Sequence, residues 1–161
     1  MAVGTVIMDS NNMVNGSYGE AYATIDGNRY NLFMLVNFEG SVAINKKERG
    51  VLGRTGKITY PTGWTGSWKA TMSYCTPIFR KLFMEFKSTG KFPSFELQIS
   101  NENTAGEIGR QTVTYKGCYI DNMILSKLDV EADDTLSEDI SGSFNDVEMP
   151  EEFGLMNGLV E

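Results

Sequence analysis

The sequence has no histidine among its 161 residues. This removes the commonest general base and metal ligand and every nucleophile that histidine activates. Its two cysteines, Cys75 and Cys118, lack metal-ligand spacing, and we expect both to be small buried hydrophobic residues. No apolar run approaches the roughly 20 residues that span a bilayer. We therefore expect no metal, no cofactor and no membrane insertion by the monomer.

Two further absences concern export and catalysis. The N-terminus has neither the basic nor the apolar region of a signal peptide, so we expect synthesis in the cytoplasm without secretory export. No phosphate-binding loop, zinc-protease motif or calcium loop is present. The composition is otherwise ordinary for a globular protein, with 41% hydrophobic residues. We predict that the chain is not an enzyme.

Basic residues are scarce in the C-terminal part of the chain. Residues 1–117 carry 13 Lys and Arg against 9 Asp and Glu, whereas residues 118–161 carry one Lys against 12 acidic residues. This asymmetry suits a head-to-tail assembly in which one end of a copy attracts the opposite end of the next. A solvated acidic tail would explain it equally well. Sequence-specific nucleic-acid binding is not expected, because phosphate contacts need clustered basic residues.

Alternation of apolar and polar residues predicts seven or eight antiparallel β-strands. One helix interrupts them. Thr76 suits its N-cap, Pro77 its first helical position and Gly90 its end. The predicted fold class is mainly β, an antiparallel β-sandwich or partly open barrel with one flanking α-helix.

The length predicts a single domain over residues 1–161. We expect a flexible N-terminal arm over about residues 1–14 and an acidic C-terminal tail over about residues 147–161. The tail is expected because the last residues are acidic and interrupted by Pro, Gly and Asn.

The longest predicted strand runs from Leu32 to Asn45 and is expected to bend near Gly40. Its apolar residues share one parity, so one face should pack inward and the other should meet water. A charged connection rich in glycine follows. We interpret this region as a long β-hairpin with a flexible tip, or as an ordinary mobile surface loop. The tip comprises Lys46, Lys47, Glu48, Arg49, Gly50, Val51, Leu52, Gly53 and Arg54.

A second candidate surface is acidic. It comprises Asp129, Glu131, Asp133, Asp134, Glu138 and Asp139. Paired carboxylates serve catalysis when burial raises the pKa of one of them. We expect these residues in exposed turns and strand ends, where both members of a pair stay ionised, so we predict no catalytic residue among them.

Three motifs carry a resemblance to a known family. They are NGSYGEAYATIDG (Asn15 to Gly27), GWTGSWKATMSY (Gly63 to Tyr74) and DISGSFNDVEMPEEF (Asp139 to Phe153). In these motifs the chain resembles the tail tube proteins of PBSX-type phage-like elements. The resemblance implies a structural subunit of a contractile tail. It also implies rings of six copies, in which strands from each copy join a shared β-barrel around a wide lumen, and stacking of the rings into a hollow tube.

The resemblance further implies partners and places. These are other copies of the chain, a tail sheath protein, a baseplate or tube initiator protein and a tape measure protein. Assembly would occur in the bacterial cytoplasm, and the product would be a phage virion or a headless bacteriocin that is driven through the target cell envelope. The hairpin tip would then stack rings. The acidic surface would either contact the sheath or keep DNA from adhering to the lumen.

The alternative function is a monomeric β-barrel module that binds a small ligand or a carbohydrate. Such a module should hold a closed pocket lined by apolar or aromatic residues and should not self-associate.

Overall fold

A computed structural model describes residues 7–131 and 133–159. Over these residues the chain forms eight β-strands, one α-helix and two short 3-10 helices. The strands are β1 (Glu20–Ile25), β2 (Asn28–Asn31), β3 (Leu35–Arg49), β4 (Ile58–Ser73), β5 (Phe95–Glu102), β6 (Arg110–Met123), β7 (Ser137–Phe144) and β8 (Asp146–Glu151). The α-helix, α1, spans Ile78–Thr89, and the 3-10 helices span Ser10–Asn12 and Gly16–Tyr18. The mainly β fold with one α-helix is confirmed.

The chain divides into two compact units. The first contains the residues up to Phe33, residues 94–116 and those from Val147 onward. The second contains residues 34–93 and 117–146, so β6 contributes to both.

In the first unit the strand order is β2-β1-β5-β6, and β8 also pairs with β6. Asp26 and Gly27 have positive φ angles of 51° and 80° and connect β1 to β2 in a two-residue turn. The core of this unit includes the buried side chains of Ala23, Phe95 and Leu97.

Both terminal segments of the first unit contain ordered elements. Asn12 is buried, and its side-chain oxygen accepts a hydrogen bond from the Glu107 backbone N–H at 3.1 Å. This differs from the flexible arm expected over residues 1–14, of which residues 1–6 lie outside the described part. β8 likewise occupies the start of the expected C-terminal tail, because its alternating residues pair with β6.

In the second unit the strand order is β6-β7-β4-β3. β4 pairs with β7 on one side, from Gly66↔Phe144 to Ser73↔Ser137. On its other side it pairs with β3 from Leu35 to Arg49.

The bend expected near Gly40 is not there, because Gly40 pairs regularly with Trp68. The pairing register between β3 and β4 shifts instead between Leu35 and Asn37 and between Asn45 and Lys46. At the second shift β4 contains Pro61, which has no backbone N–H to donate to the ladder.

Helix α1 begins one residue later than the sequence indicated. The Pro77 carbonyl accepts the first helical hydrogen bond, from Lys81 N–H at 3.0 Å, and Pro77 occupies the N-cap position without a side-chain cap. The assignment of Thr76 as N-cap is therefore wrong. Gly90 ends the helix with φ 76°, as expected. Phe79 and Leu82 are the buried residues of the helix.

Trp68 is the central residue of the second core and is only 3% exposed. Its indole N–H donates to the Ser143 carbonyl at 3.2 Å, and its ring stacks with Phe38 at a centroid distance of 6.1 Å. Gly142 lies against it. A Cβ added at Gly142 would lie 1.9 Å from the Tyr119 carbonyl oxygen and 2.8 Å from the indole, so this position tolerates no side chain.

We predict that Gly142→Ala destabilises the protein by about 3 kcal/mol, because the added methyl group overpacks the contact with Trp68 and Tyr119. The matched control is Gly63→Ala, in the same sheet, where an added Cβ meets nothing within 4 Å and the change should stay within about 1 kcal/mol. Urea unfolding followed by circular dichroism measures both. Equal unfolding midpoints for the two variants would contradict the prediction.

Candidate assembly surface

The β3–β4 hairpin extends well past the strand that supports it. β7 accompanies β4 only as far as Gly66, which pairs with Val42 of β3. We call residues 42–66 the arm. From Val42 to Arg49 the arm continues for eight residues, or about 26 Å at the usual rise per strand residue. Along this length the two strands of the arm pair only with each other among the described residues.

The sequence-predicted tip is partly strand. Lys46, Lys47, Glu48 and Arg49 belong to β3 and pair with residues 58–61 of β4, so the interpretation of these four residues as a loop is wrong. The connection itself spans residues 50–57, with Gly53 at φ 80°. All nine predicted tip residues are exposed.

The tip is strongly basic. Its cations are Lys46, Lys47, Arg49, Arg54 and Lys57, the last of which the sequence interpretation left out although it closes the same charged run. Among the described residues, none of these side chains forms a salt bridge with a carboxylate. We call residues 46–57 the basic tip.

One face of the arm is apolar and open to solvent. Val42, Ile44 and Trp64 are 48%, 60% and 45% exposed, and Ile44 lies directly opposite Trp64 in the ladder. The prediction that this face packs inward is therefore wrong for Val42 and Ile44. β7, which pairs with β4 in the same sheet, ends at Phe144, whose ring lies 6.0 Å from the Trp64 ring between centroids.

The other face of the same sheet is polar. Ser41 and Ser67 hydroxyls lie 3.2 Å apart, and the Asn45 amide donates to the Thr65 hydroxyl at 3.4 Å. Closer to the core, Lys69 pairs with Glu39 at 3.2 Å. The sheet thus presents hydroxyl and charged groups on one side and apolar groups on the other.

β3 forms an edge of the second unit. It ends the strand order, and no other strand of the described chain pairs with its outer side over 15 residues. An edge of this length is a template for another strand and is normally protected in a monomer.

The six residues of the predicted acidic surface do not form one surface in the structure. Asp129, Glu131, Asp133 and Asp134 lie in the connection between β6 and β7 and are exposed, with Asp129 Oδ1 accepting from Glu131 N–H at 3.1 Å. We call residues 125–131 and 133–134 the acidic loop. Residues 128–130 form no strand, and the side chains of Leu128 and Val130 are both 89% exposed.

Glu138 does not belong to that surface. It is buried in β7 and accepts a hydrogen bond from Arg80 Nη2. Burial raises the pKa of Glu138, and the neighbouring Arg80 guanidinium opposes the rise. The assignment of Glu138 to an exposed surface is wrong because α1 places Arg80 beside it. Asp139, the next residue, is exposed and accepts from the Thr71 hydroxyl at 2.7 Å.

Arg80 also donates hydrogen bonds to backbone carbonyls on either side of it. Its Nη1 donates to the Thr76 carbonyl at 2.6 Å and its Nε to the Leu125 carbonyl at 3.0 Å. Its guanidinium lies 4.6 Å from the Tyr74 ring centroid. The pair therefore ties α1, β7 and the start of the acidic loop together.

Neither cysteine forms a disulfide within the described residues. Cys118 is buried as expected, but Cys75 is exposed, because it lies between β4 and α1 rather than inside either element.

The described chain shows little that would bind a small molecule. A depression of about 670 Å³ in the first unit is lined by Asp9, Asn12 and Glu107 together with apolar residues of both terminal segments. Its described lining contains no aromatic residue. Within that part of the chain, no three His, Cys, Asp or Glu side chains come together as a metal site, and none of the helices is long and apolar enough to cross a membrane.

A long strand with one open edge among the described residues and an exposed apolar arm point to assembly, and known proteins of this sequence and fold agree. Residues 6–151 match the family described as phage tail tube protein. The chain belongs to the phage tail tube protein family. The resemblance inferred from its three motifs is thereby confirmed.

Individual phage tail tube proteins and related folds support the assignment. The chain is 31% identical over 141 residues to the phage-like element PBSX protein XkdM of Bacillus subtilis strain 168, covering 82% of this chain and 94% of that protein. A chain of the anti-feeding prophage tube terminating cap has the same fold with a TM-score of 0.67 at 10% identity, over 92% of this chain and 98% of its own. The SPP1 tail tube chain gives 0.61 at 12% identity, over 89% and 81%.

Membership in the phage tail tube family gives the structural features a context. The chain is a structural protein of phage-type tails, and its family and fold are those of tube components rather than of enzymes. The family match spans all eight strands.

The buried ion pair generates a prediction about pH. Because the pKa of Glu138 is raised above its ordinary value of 4.5, the folded protein holds this proton more tightly than the unfolded chain. Protonated Glu138 therefore contributes its full stabilisation of the folded state below pH 4.5, and this stabilisation is lost as the pH rises through the raised pKa. Glu138→Gln should therefore flatten the decline of stability that sets in as the pH rises above 4.5, measured by urea unfolding at increasing pH.

The contrasting variant is Glu138→Ala. It removes the acceptor and leaves the Arg80 charge uncompensated, so it should cost about 3 kcal/mol, and because it also removes the titrating carboxyl its pH profile should be as flat as that of Glu138→Gln. A pH profile that is the same for Glu138→Gln as for the unsubstituted protein would show that Glu138 does not titrate as we expect.

Proposed function

We propose that the chain is the repeating subunit of the inner tube of a contractile phage tail or of a headless phage-tail-like particle. Six copies form a ring, and rings stack into a hollow tube. The observation that supports this most directly is the combination of the unpaired β3 edge with the exposed apolar face of the arm. Both features are unfavourable in a monomer and are satisfied when another copy covers them.

The β3 edge needs a complementary edge on the next copy, and β6 offers one. The turn between β5 and β6 is closed by a hydrogen bond from Asn103 N–H to the Gly109 carbonyl. Because β5 has eight residues, antiparallel pairing from this turn reaches only about Gly117. The rest of β6, up to Met123, pairs with β7 on one side. We propose that β3 of the neighbouring copy pairs with its other side.

Closing such pairs around a ring removes every free edge of the second unit, as barrel closure does in general. The two faces of the sheet then differ in role. The polar face, with Ser41, Ser67 and Thr65, suits a water-filled lumen, and the apolar face of the arm packs against protein. The basic tip projects beyond the ring and contacts the next ring.

The partners follow from this assignment. The tube starts on a baseplate or initiator protein, encloses a tape measure protein and is surrounded by a tail sheath. Assembly takes place in the bacterial cytoplasm. The fold shared with a chain of the sheath-tube complex of an extracellular contractile injection system supports this setting.

The proposal predicts self-assembly that depends on the apolar face of the arm. At high concentration the full chain should form six-fold rings or hollow tubes in negative-stain electron microscopy. Val42→Lys combined with Ile44→Lys should abolish both, because charged side chains cannot be buried against a second copy without a partner. The fold should persist, since both side chains are already exposed.

The control is Ala43→Lys, which adds one such charge to the same strand on the opposite, polar face. It should leave rings intact. A chain that stays monomeric at every concentration, as light scattering would show, would count against the tube and favour the monomeric binding module.

A further inference from the structure

The sheet of the second unit has two ends of opposite charge. β3 and β4 are joined through the basic tip at one end. At the other end Ser73, the last residue of β4, pairs with Ser137, the first residue of β7. β6 ends there too, since Met123 pairs with Ile140. The acidic loop connects β6 to β7 at this end and therefore lies opposite the basic tip along the strand direction.

The basic tip combines charge with exposed apolar surface. It contains five cationic residues and one acidic residue, Glu48. Between them Val51 and Leu52 are 38% and fully exposed. No described contact within the chain covers the two apolar side chains or neutralises the cations.

The acidic loop has the complementary composition. Four carboxylates alternate with Leu128 and Val130, both almost fully exposed, and none of the four forms a salt bridge within the described residues. The loop is nevertheless fixed at its base. Lys127 N–H donates to the Tyr74 hydroxyl at 3.3 Å, and Lys127 Nζ donates to the Ser137 carbonyl at 3.0 Å.

We propose that the acidic loop is the surface on which the basic tip of a second copy docks, so that the two ends of the sheet bind each other between successive rings. The inference rests on the proposed tube function and adds to it the partner surface of the tip. Carboxylates of one copy pair with cations of the next, while Leu128 and Val130 cover Val51 and Leu52.

Two physical arguments favour a second copy over another partner. First, a contact between two different surfaces of one chain is head-to-tail and does not close on itself along the axis, which is the symmetry that a growing tube requires. Second, opposite charges at opposite ends also exclude the wrong pairings, because tip against tip and loop against loop place like charges together.

The test is a charge exchange in the full chain. One variant reverses the tip with Arg49→Glu, Arg54→Glu and Lys57→Glu. Another reverses the loop with Glu131→Lys, Asp133→Lys and Asp134→Lys. Each alone should raise the protein concentration needed for tube growth by about 100-fold or more, because like charges then face each other. Rings should persist, since neither variant changes β3 or the apolar face of the arm.

The combined variant carries an acidic tip and a basic loop. It should form tubes again at a concentration within about tenfold of the unsubstituted protein, because the charges are once more complementary. Such rescue cannot come from misfolded chains. The control reverses three exposed lysines elsewhere, Lys81→Glu, Lys87→Glu and Lys91→Glu, and should assemble normally. Pelleting and electron microscopy provide the readout.

Each outcome has a distinct meaning. Normal tubes from the loop variant, or no rescue by the combined variant, would overturn this inference while leaving the tube function in place, and the acidic loop would then be free for a sheath contact. Neither rings nor tubes from the unsubstituted chain would overturn the proposed function, and the docking inference with it.

Discussion

The second unit depends on the contact between Trp68 and Gly142. It fixes which residue of β4 faces which residue of β7, because only a glycine leaves room for the indole beside the Tyr119 carbonyl. A slip of one residue would turn every side chain of β4 to the opposite face. The polar face, the apolar face and the length of the unsupported arm all follow from this register. The contact therefore organises surfaces that lie far from it.

Much of the fold could be predicted from the sequence because the relevant signals are local. Asp26-Gly27 specifies its turn, Gly90 ends its helix, and alternation identifies most strands. Positions that depend on a distant partner were missed. Val42 and Ile44 have the pattern of core residues, yet they lie where β3 and β4 extend past the end of β7 and are exposed. Pattern alone cannot supply that information, since β7 lies more than ninety residues away in the sequence.

Among the charged residues, too, local features are predictable from the sequence and contacts with distant residues are not. The basic run at the tip is recognisable in the sequence, but the pattern assigns Lys57 to the next extended segment, because strand boundaries taken from sequence alone are uncertain by a few residues. Glu138 was grouped with its acidic neighbours, although the sequence contains no local sign that Arg80 would lie beside it. The opposition of the two charged ends became visible only once the antiparallel register placed Met123 and Ser137 at the end of the sheet away from the tip.

The order in which the strands meet has a consequence for folding. β3 and β4 are neighbours in the chain, whereas β4 and β7 join across about seventy residues, and local contacts form earlier than distant ones. The arm can therefore be complete while the core beneath it is still open. During that interval a nascent chain exposes the apolar face of the arm, and repulsion between basic tips opposes the association of two such chains. The acidic loop, whose second support is β7, becomes a docking surface last, so that chains gain an attractive partner only after they have finished folding.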